Sequence, residues 1–188
     1  RFFHPDWRPV FTEDWYEVEG CAALGWLAAH APHDGAIVEI GCWEGRSLVT
    51  IAQSIAPRQV VAVDHWRGNE DEHDQHPSTT GAAARDVQAT FWRNMELLTS
   101  GNVRAYALDW REWLATWDAP IAFLHLDAAH DYASVADCLR AVGPFLVPGA
   151  ILCGDDAYAD GVYRATRDVL GDGVTELAGR MWVWQNGR

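Results

Sequence analysis

Apolar residues recur along the chain in two periods. Short apolar runs at 36–40, 59–63, 103–107, 121–126 and 150–153 read as strands. Between them, apolar positions fall three and four apart, which predicts helices. The first runs from Thr12 or Asp14, either able to cap it, to about His30, with Trp15, Cys21, Leu24 and Leu27 inward. The second carries Leu48, Val49 and Ile51 to about Ile55, where Pro57 stops it. The third spans 85–98 with Val87, Phe91, Met95 and Leu98 inward, and shorter patterns cover 109–117, 133–139 and 161–170. Segments 175–178 and 181–185, split by Gly179 and Arg180, predict a closing hairpin. Strand and helix alternate five times before that hairpin, so the expected class is α/β, with a doubly wound, mostly parallel sheet.

The exceptions to this rhythm are at the N-terminus and in the middle. Residues 1–11 are aromatic and proline-bearing, an extended arm over one domain spanning 1–188. Residues 67–83 form the longest polar stretch, which predicts a lid or substrate loop. Its His73 and His76 sit among acids, but no regular spacing ties them to a metal, and a solvated loop is the favoured reading.

Charge narrows the partners. The net charge is −13, from 27 acidic and 14 basic side chains, which argues against a broad nucleic-acid or anionic-membrane surface. Every basic residue is Arg; there is no Lys. Cys21, Cys42, Cys138 and Cys153 show no C-x-x-C spacing and read as thiols in a reducing, cytoplasmic setting. No apolar run approaches a membrane span, and no signal-peptide pattern is visible. A homo-oligomer is compatible with the sequence.

In open α/β sheets the ligand lies beyond the carboxyl ends of the strands, so the residues following each strand carry the candidate chemistry. After the first come Glu39, Gly41 and Gly45, spaced E-x-G-x-x-x-G rather than G-x-G-x-x-G. These glycines let backbone approach a ligand, and the next helix start offers free N–H groups. After the second comes Asp64, able to accept both hydroxyls of a ribose or simply to cap a turn. After the third come Asp109 and Trp110, and after the fourth Asp127, His130 and Tyr132. After the fifth come Asp155 and Asp156. Three carboxylates at two neighbouring strand ends call for a cation, Mg²⁺ or another divalent ion, unless the last two merely cap a helix. His130 is the candidate general base or an ordinary loop histidine.

Glu39-Ile-Gly41-x-x-x-Gly45-x-Ser47, Asp64, Asp127 and Asp155-Asp156 together resemble the class I S-adenosylmethionine (SAM) methyltransferases, specifically the metal-dependent small-molecule O-methyltransferases. Catechol-type and antibiotic-sugar enzymes share this constellation. Trp66-Arg67-Gly68 and the Asp127-x-x-His130 spacing lean toward the second group. The resemblance implies a Rossmann-like seven-stranded sheet of order 3-2-1-4-5-7-6. It implies SAM as cofactor, bound by Glu39, Gly41, Gly45, Ser47 (on the methionyl carboxylate), Asp64 (on the ribose) and Asp109 (on the adenine). Trp110 would stack on adenine or serve as a core aromatic. It implies Mg²⁺ on Asp127, Asp155 and Asp156, and a small hydroxylated acceptor. The catechol type has Asp-Asn at the last pair and a Lys where this chain has His130, so His130 with Asp127 takes the catalytic role. Rival readings are a SAM-binding protein without transferase activity and an NAD-linked Rossmann oxidoreductase.

Overall fold

The computed structural model describes residues 8–12, 17–68, 86–178 and 180–187. Its elements follow in order: α1 (Val18–Ala29), β1 (Ala36–Ile40), α2 (Arg46–Ile55), β2 (Val60–Val63), α3 (Val87–Leu98), β3 (Val103–Tyr106), α4 (Trp110–Leu114), β4 (Ile121–Leu126), α5 (Tyr132–Val142), β5 (Leu146–Gly154), α6 (Asp160–Leu170), β6 (Thr175–Leu177) and β7 (Met181–Gln185). The sheet has seven strands in the order β3-β2-β1-β4-β5-β7-β6. The first five pair in parallel and β7 joins antiparallel, as the alternation and the terminal hairpin predict.

Parallel strands covered on both faces read as nearly unbroken apolar runs, and all six positions of β4 are buried. Alternate residues serve opposite layers. Ile37 and Phe123 join Leu24, Ile51 and Phe91 on one side. Val38, Ile40 and Leu124 join Trp113, Leu139 and Trp182 on the other. Phe91 and Trp113 are wholly buried, and truncating either to Ala would cost on the order of 3–5 kcal/mol.

Boundaries differ from the sequence pattern where side chains cap or fray an end. Helix α1 begins at Val18, and Thr12 does not cap it: the Thr12 amide donates 2.7 Å to Glu44 Oε2. Asp86, Asp109 and Asp131 are the caps that start α3, α4 and α5, each accepting from a backbone amide within three residues. Strand β5 starts at Leu146, running through Pro148. Asp14, Trp15, His73 and His76 lie outside the described residues, as does the 67–83 loop beyond Gly68. No helix among the described residues is long and apolar enough to cross a membrane. The four cysteines are free thiols, with Cys42, Cys138 and Cys153 buried.

Candidate active site

The central strands end level. Ile40 pairs with Leu126 and Leu126 with Gly154, so Gly41, Asp127 and Asp155 emerge side by side. The Asp127 amide extends the ladder by donating 2.9 Å to the Ile40 carbonyl. A cavity of about 880 Å³ opens over these ends, within the range of small-molecule sites. Gly41, Asp64, Asp109, Trp110, Asp127, His130, Asp155 and Asp156 all line it.

Both glycines adopt a left-handed φ, 86° at Gly41 and 85° at Gly45, which an L side chain resists. Their second constraint is the protein itself rather than a ligand. A Cβ on Gly41 would strike the Asp127 carbonyl oxygen, and one on Gly45 would strike Met95 Cε and Phe91. Gly41 still faces the cavity; Gly45 does not line it.

Glu39 also differs from expectation. It is fully buried, does not line the cavity, and pairs across the β1–β4 register with the equally buried His125, Oε1 to Nδ1 at 2.8 Å. Burial pushes the Glu39 carboxyl above its ordinary value, against the pull of His125 and Ser47. Burial works to lower His125, but the bond to Glu39 and its charge prevail and raise it. Ser47 lines the cavity, yet its hydroxyl donates to Glu39 Oε1. Glu39 thus organises the floor of the cavity by holding His125 and Ser47.

Asp64 is tied to the glycine turn. Its Oδ2 accepts from the amides of Cys42 and Trp43, both at 2.8 Å, and its Oδ1 from Trp66 at 2.6 Å. The turn-capping role is therefore real; Asp64 also lines the cavity, and a carboxylate has lone pairs beyond those three bonds. Asp109 Oδ1 caps α4 through the Arg111 amide at 2.8 Å. Trp110 is half-buried with Arg111 over its ring at 4.3 Å, so the core aromatic of this helix is Trp113 instead.

At the other end of the cavity stand the acids. His130 Nε2 lies 3.6 Å from Asp127 Oδ1 and 3.3 Å from Asp156 Oδ2, and these three residues converge closely enough to share a metal ion. Asp155 stands outside that group, and the β6–β7 turn delivers Arg180 to both Asp155 and Asp156. The Arg180 Nη2 sits 3.1 Å from Asp155 Oδ2 and 2.7 Å from Asp156 Oδ1. Burial, then the charge of Asp127, pushes the Asp155 carboxyl up to about 6. Burial works to raise Asp127, but the bond to His130 and the charges of His125, His130 and Arg180 hold it below its usual range. Asp156 has a φ of 54°, a strained backbone that aims its carboxylate.

Sequence reading missed Arg180, although the absence of Lys marks each Arg as a candidate counter-ion. It also missed how the arm is fastened: Asn94, fully buried, exchanges two 2.8 Å bonds with Val10, and Phe11 reaches the cavity wall.

The model of the family described as Methyltransferase domain matches residues 38–157. No curated protein matches the chain. Among solved structures, CalS11, a TDP-rhamnose 3′-O-methyltransferase of calicheamicin biosynthesis, shares 23% identity, with 89% of this chain and 78% of that one covered at a TM-score of 0.59. The O-methyltransferase NovP shares 20%, covering 91% and 81% at 0.66. TomG from Streptomyces achromogenes, involved in tomaymycin synthesis and solved with SAM, shares 20%, covering 89% and 79% at 0.59. At these identities the likeness establishes the fold.

Proposed function

The chain belongs to the Methyltransferase domain family, with the class I SAM-dependent fold, and from that premise we propose that it methylates a hydroxyl group of a small molecule. The observation that carries this is the cavity's two ends. One offers Asp64, Asp109 and Trp110, suited to a nucleoside; the other gathers Asp127, His130, Asp155 and Asp156, suited to ionising a hydroxyl.

The cavity fits SAM in volume, and its walls offer Gly41 and Asp64 toward the ribose and Asp109 and Trp110 toward the adenine. SAM supplies an electrophilic methyl group on a sulfonium. Ser47 donates its one hydroxyl proton to Glu39 Oε1, so what it has left for the methionyl end is lone pairs, which suit the ammonium rather than the carboxylate.

A divalent ion also fits. The carboxylate oxygens are hard donors, and Asp127, His130 and Asp156 each offer a ligand atom within 4.8 Å of the others. Mg²⁺ or a similar ion would be held by Asp127 and Asp156, the two carboxylates that converge, with Asp155 joining them once Arg180 withdraws, and would lower the pKa of the acceptor hydroxyl. His130 Nε2 takes the hydroxyl proton, and the carboxylates of Asp127 and Asp156, 3.6 and 3.3 Å away, favour the imidazolium that results. Phe11 and the walls of the cavity exclude water and hold the acceptor in line.

The names of the structural neighbours guide the choice of acceptors. Purified protein incubated with methyl-labelled SAM and a panel of nucleotide-linked deoxysugars and phenols should yield a labelled methyl ether. A protein that binds SAM but labels no hydroxyl across such a panel would instead be a SAM-binding protein without transferase activity.

A further inference from the structure

One cation in the site belongs to the chain itself. Arg180 comes from the turn between β6 and β7, and its Nη2 bridges Asp155 at 3.1 Å and Asp156 at 2.7 Å. The backbone behind it is anchored, since the Ala157 amide donates 2.8 Å to the Arg180 carbonyl. The side chain is not: it is 46% exposed, whereas Asp155 beneath it is 8% exposed. A guanidinium on a solvent-facing turn can leave a carboxylate pair by rotating its own side-chain bonds, with the hairpin intact.

The three carboxylates following β4 and β5 cannot remain ionised together without positive charge nearby. Arg180 meets that need for Asp155 and Asp156 when no ion is bound, while His130 faces Asp127 and Asp156. A dication on the same carboxylates would repel the guanidinium, because both would share Asp156. We propose that Arg180 is a built-in competitor for the divalent ion: Arg180 and the ion exchange on the Asp155–Asp156 pair, and the affinity of the site for the ion is set by how firmly Arg180 holds it. This rests on the ion-binding part of the proposed function. By thermodynamic reciprocity, the ion must loosen Arg180 by the same factor that Arg180 weakens the ion.

Two measurements on the full chain test the exchange, using Mn²⁺ alone as probe. In Mn²⁺ titrations followed by electron paramagnetic resonance, Arg180→Gln should bind the ion at least about tenfold more tightly than wild type. Arg180→Lys, which keeps the charge, should remain near wild type. Equal or weaker binding by Arg180→Gln, including no binding by either protein, overturns the proposal. The second measurement needs no variant and decides the matter if Arg180→Gln fails to fold. Phenylglyoxal labelling of Arg180 in the wild type, read by peptide mass spectrometry, should speed up when Mn²⁺ is added. Unchanged or slower labelling overturns the exchange. Should Arg180→Gln bind Mn²⁺ more tightly while no hydroxylated acceptor is ever methylated, the functional reading falls and the exchange stands.

Discussion

The carboxylate of Asp64 accepts the amide of Cys42 at 2.8 Å, and so the end of β2 holds the turn that leaves β1. One side chain therefore ties together the two strand ends between which a nucleoside would lie. The ribose-binding role proposed for it would draw on the same oxygens as the scaffold role.

Asp64→Ala should accordingly lose both. Three amides, those of Cys42, Trp43 and Trp66, are left without their acceptor. SAM affinity should fall by about 1.5–3 kcal/mol, the range for hydrogen bonds to a charged group. The melting temperature should fall by several degrees, at roughly 2–4 °C per kcal/mol for a chain of this size. Asp64→Asn, which keeps one acceptor oxygen, should lie between. Calorimetry and thermal melts check this, and unchanged SAM affinity in Asp64→Ala would remove Asp64 from the ribose site.

Much of this was legible in the sequence, and the reasons are local. Five apolar runs separated by helical spacing force a parallel sheet, and the acids that follow β2 and β4 must then sit at its carboxyl edge. Glu39 was harder. Its role depends on the β1–β4 register that sets it opposite His125, and a sequence carries no register between strands so far apart. Arg180 was illegible for a related reason. Its partners Asp156 and Asp155 lie 24 and 25 positions earlier, and an antiparallel pairing with no periodic signature brings them together. The turn containing Arg180 was recognisable; what it reaches was not.

The two motif glycines should respond unequally to substitution. Both have left-handed φ values. In Gly41→Ala the new Cβ meets backbone, the Asp127 carbonyl, which cannot yield without shifting β4. In Gly45→Ala it meets first the terminal methyl of Met95, the flexible end of a side chain. Chemical denaturation should show Gly41→Ala as the more destabilised by at least about 1 kcal/mol, given the usual cost of overpacking. Equal losses would mean that φ alone, and not the close approach of β4, governs the turn.

The buried Glu39–His125 pair makes stability depend on pH. The folded pKa of His125 is raised by its partner. A group raised on folding stabilises fully below its unfolded value, about 6.5, and that contribution is lost as pH rises through the higher folded value. Wild-type stability should therefore decline on going up from about pH 6.5. Glu39→Gln removes the charge that opposes burial, so the decline in this window should vanish. NMR titration of His125 gives the direct check: its pKa should drop in Glu39→Gln, and an unchanged value would remove Glu39 as the cause.

The account turns on His130 accepting a proton from a hydroxyl that then takes the methyl group of SAM. The decisive measurement is the rate of methyl transfer from labelled SAM to a hydroxylated acceptor, wild type against His130→Ala, across pH, with SAM affinity measured in parallel. The prediction is a loss on the order of 10²–10⁴ in rate, the usual share of a general base, with SAM affinity nearly intact. The rise of wild-type activity with pH, as the imidazole sheds its proton, should be missing from the variant. Near-normal transfer by His130→Ala with the same pH profile would contradict the account.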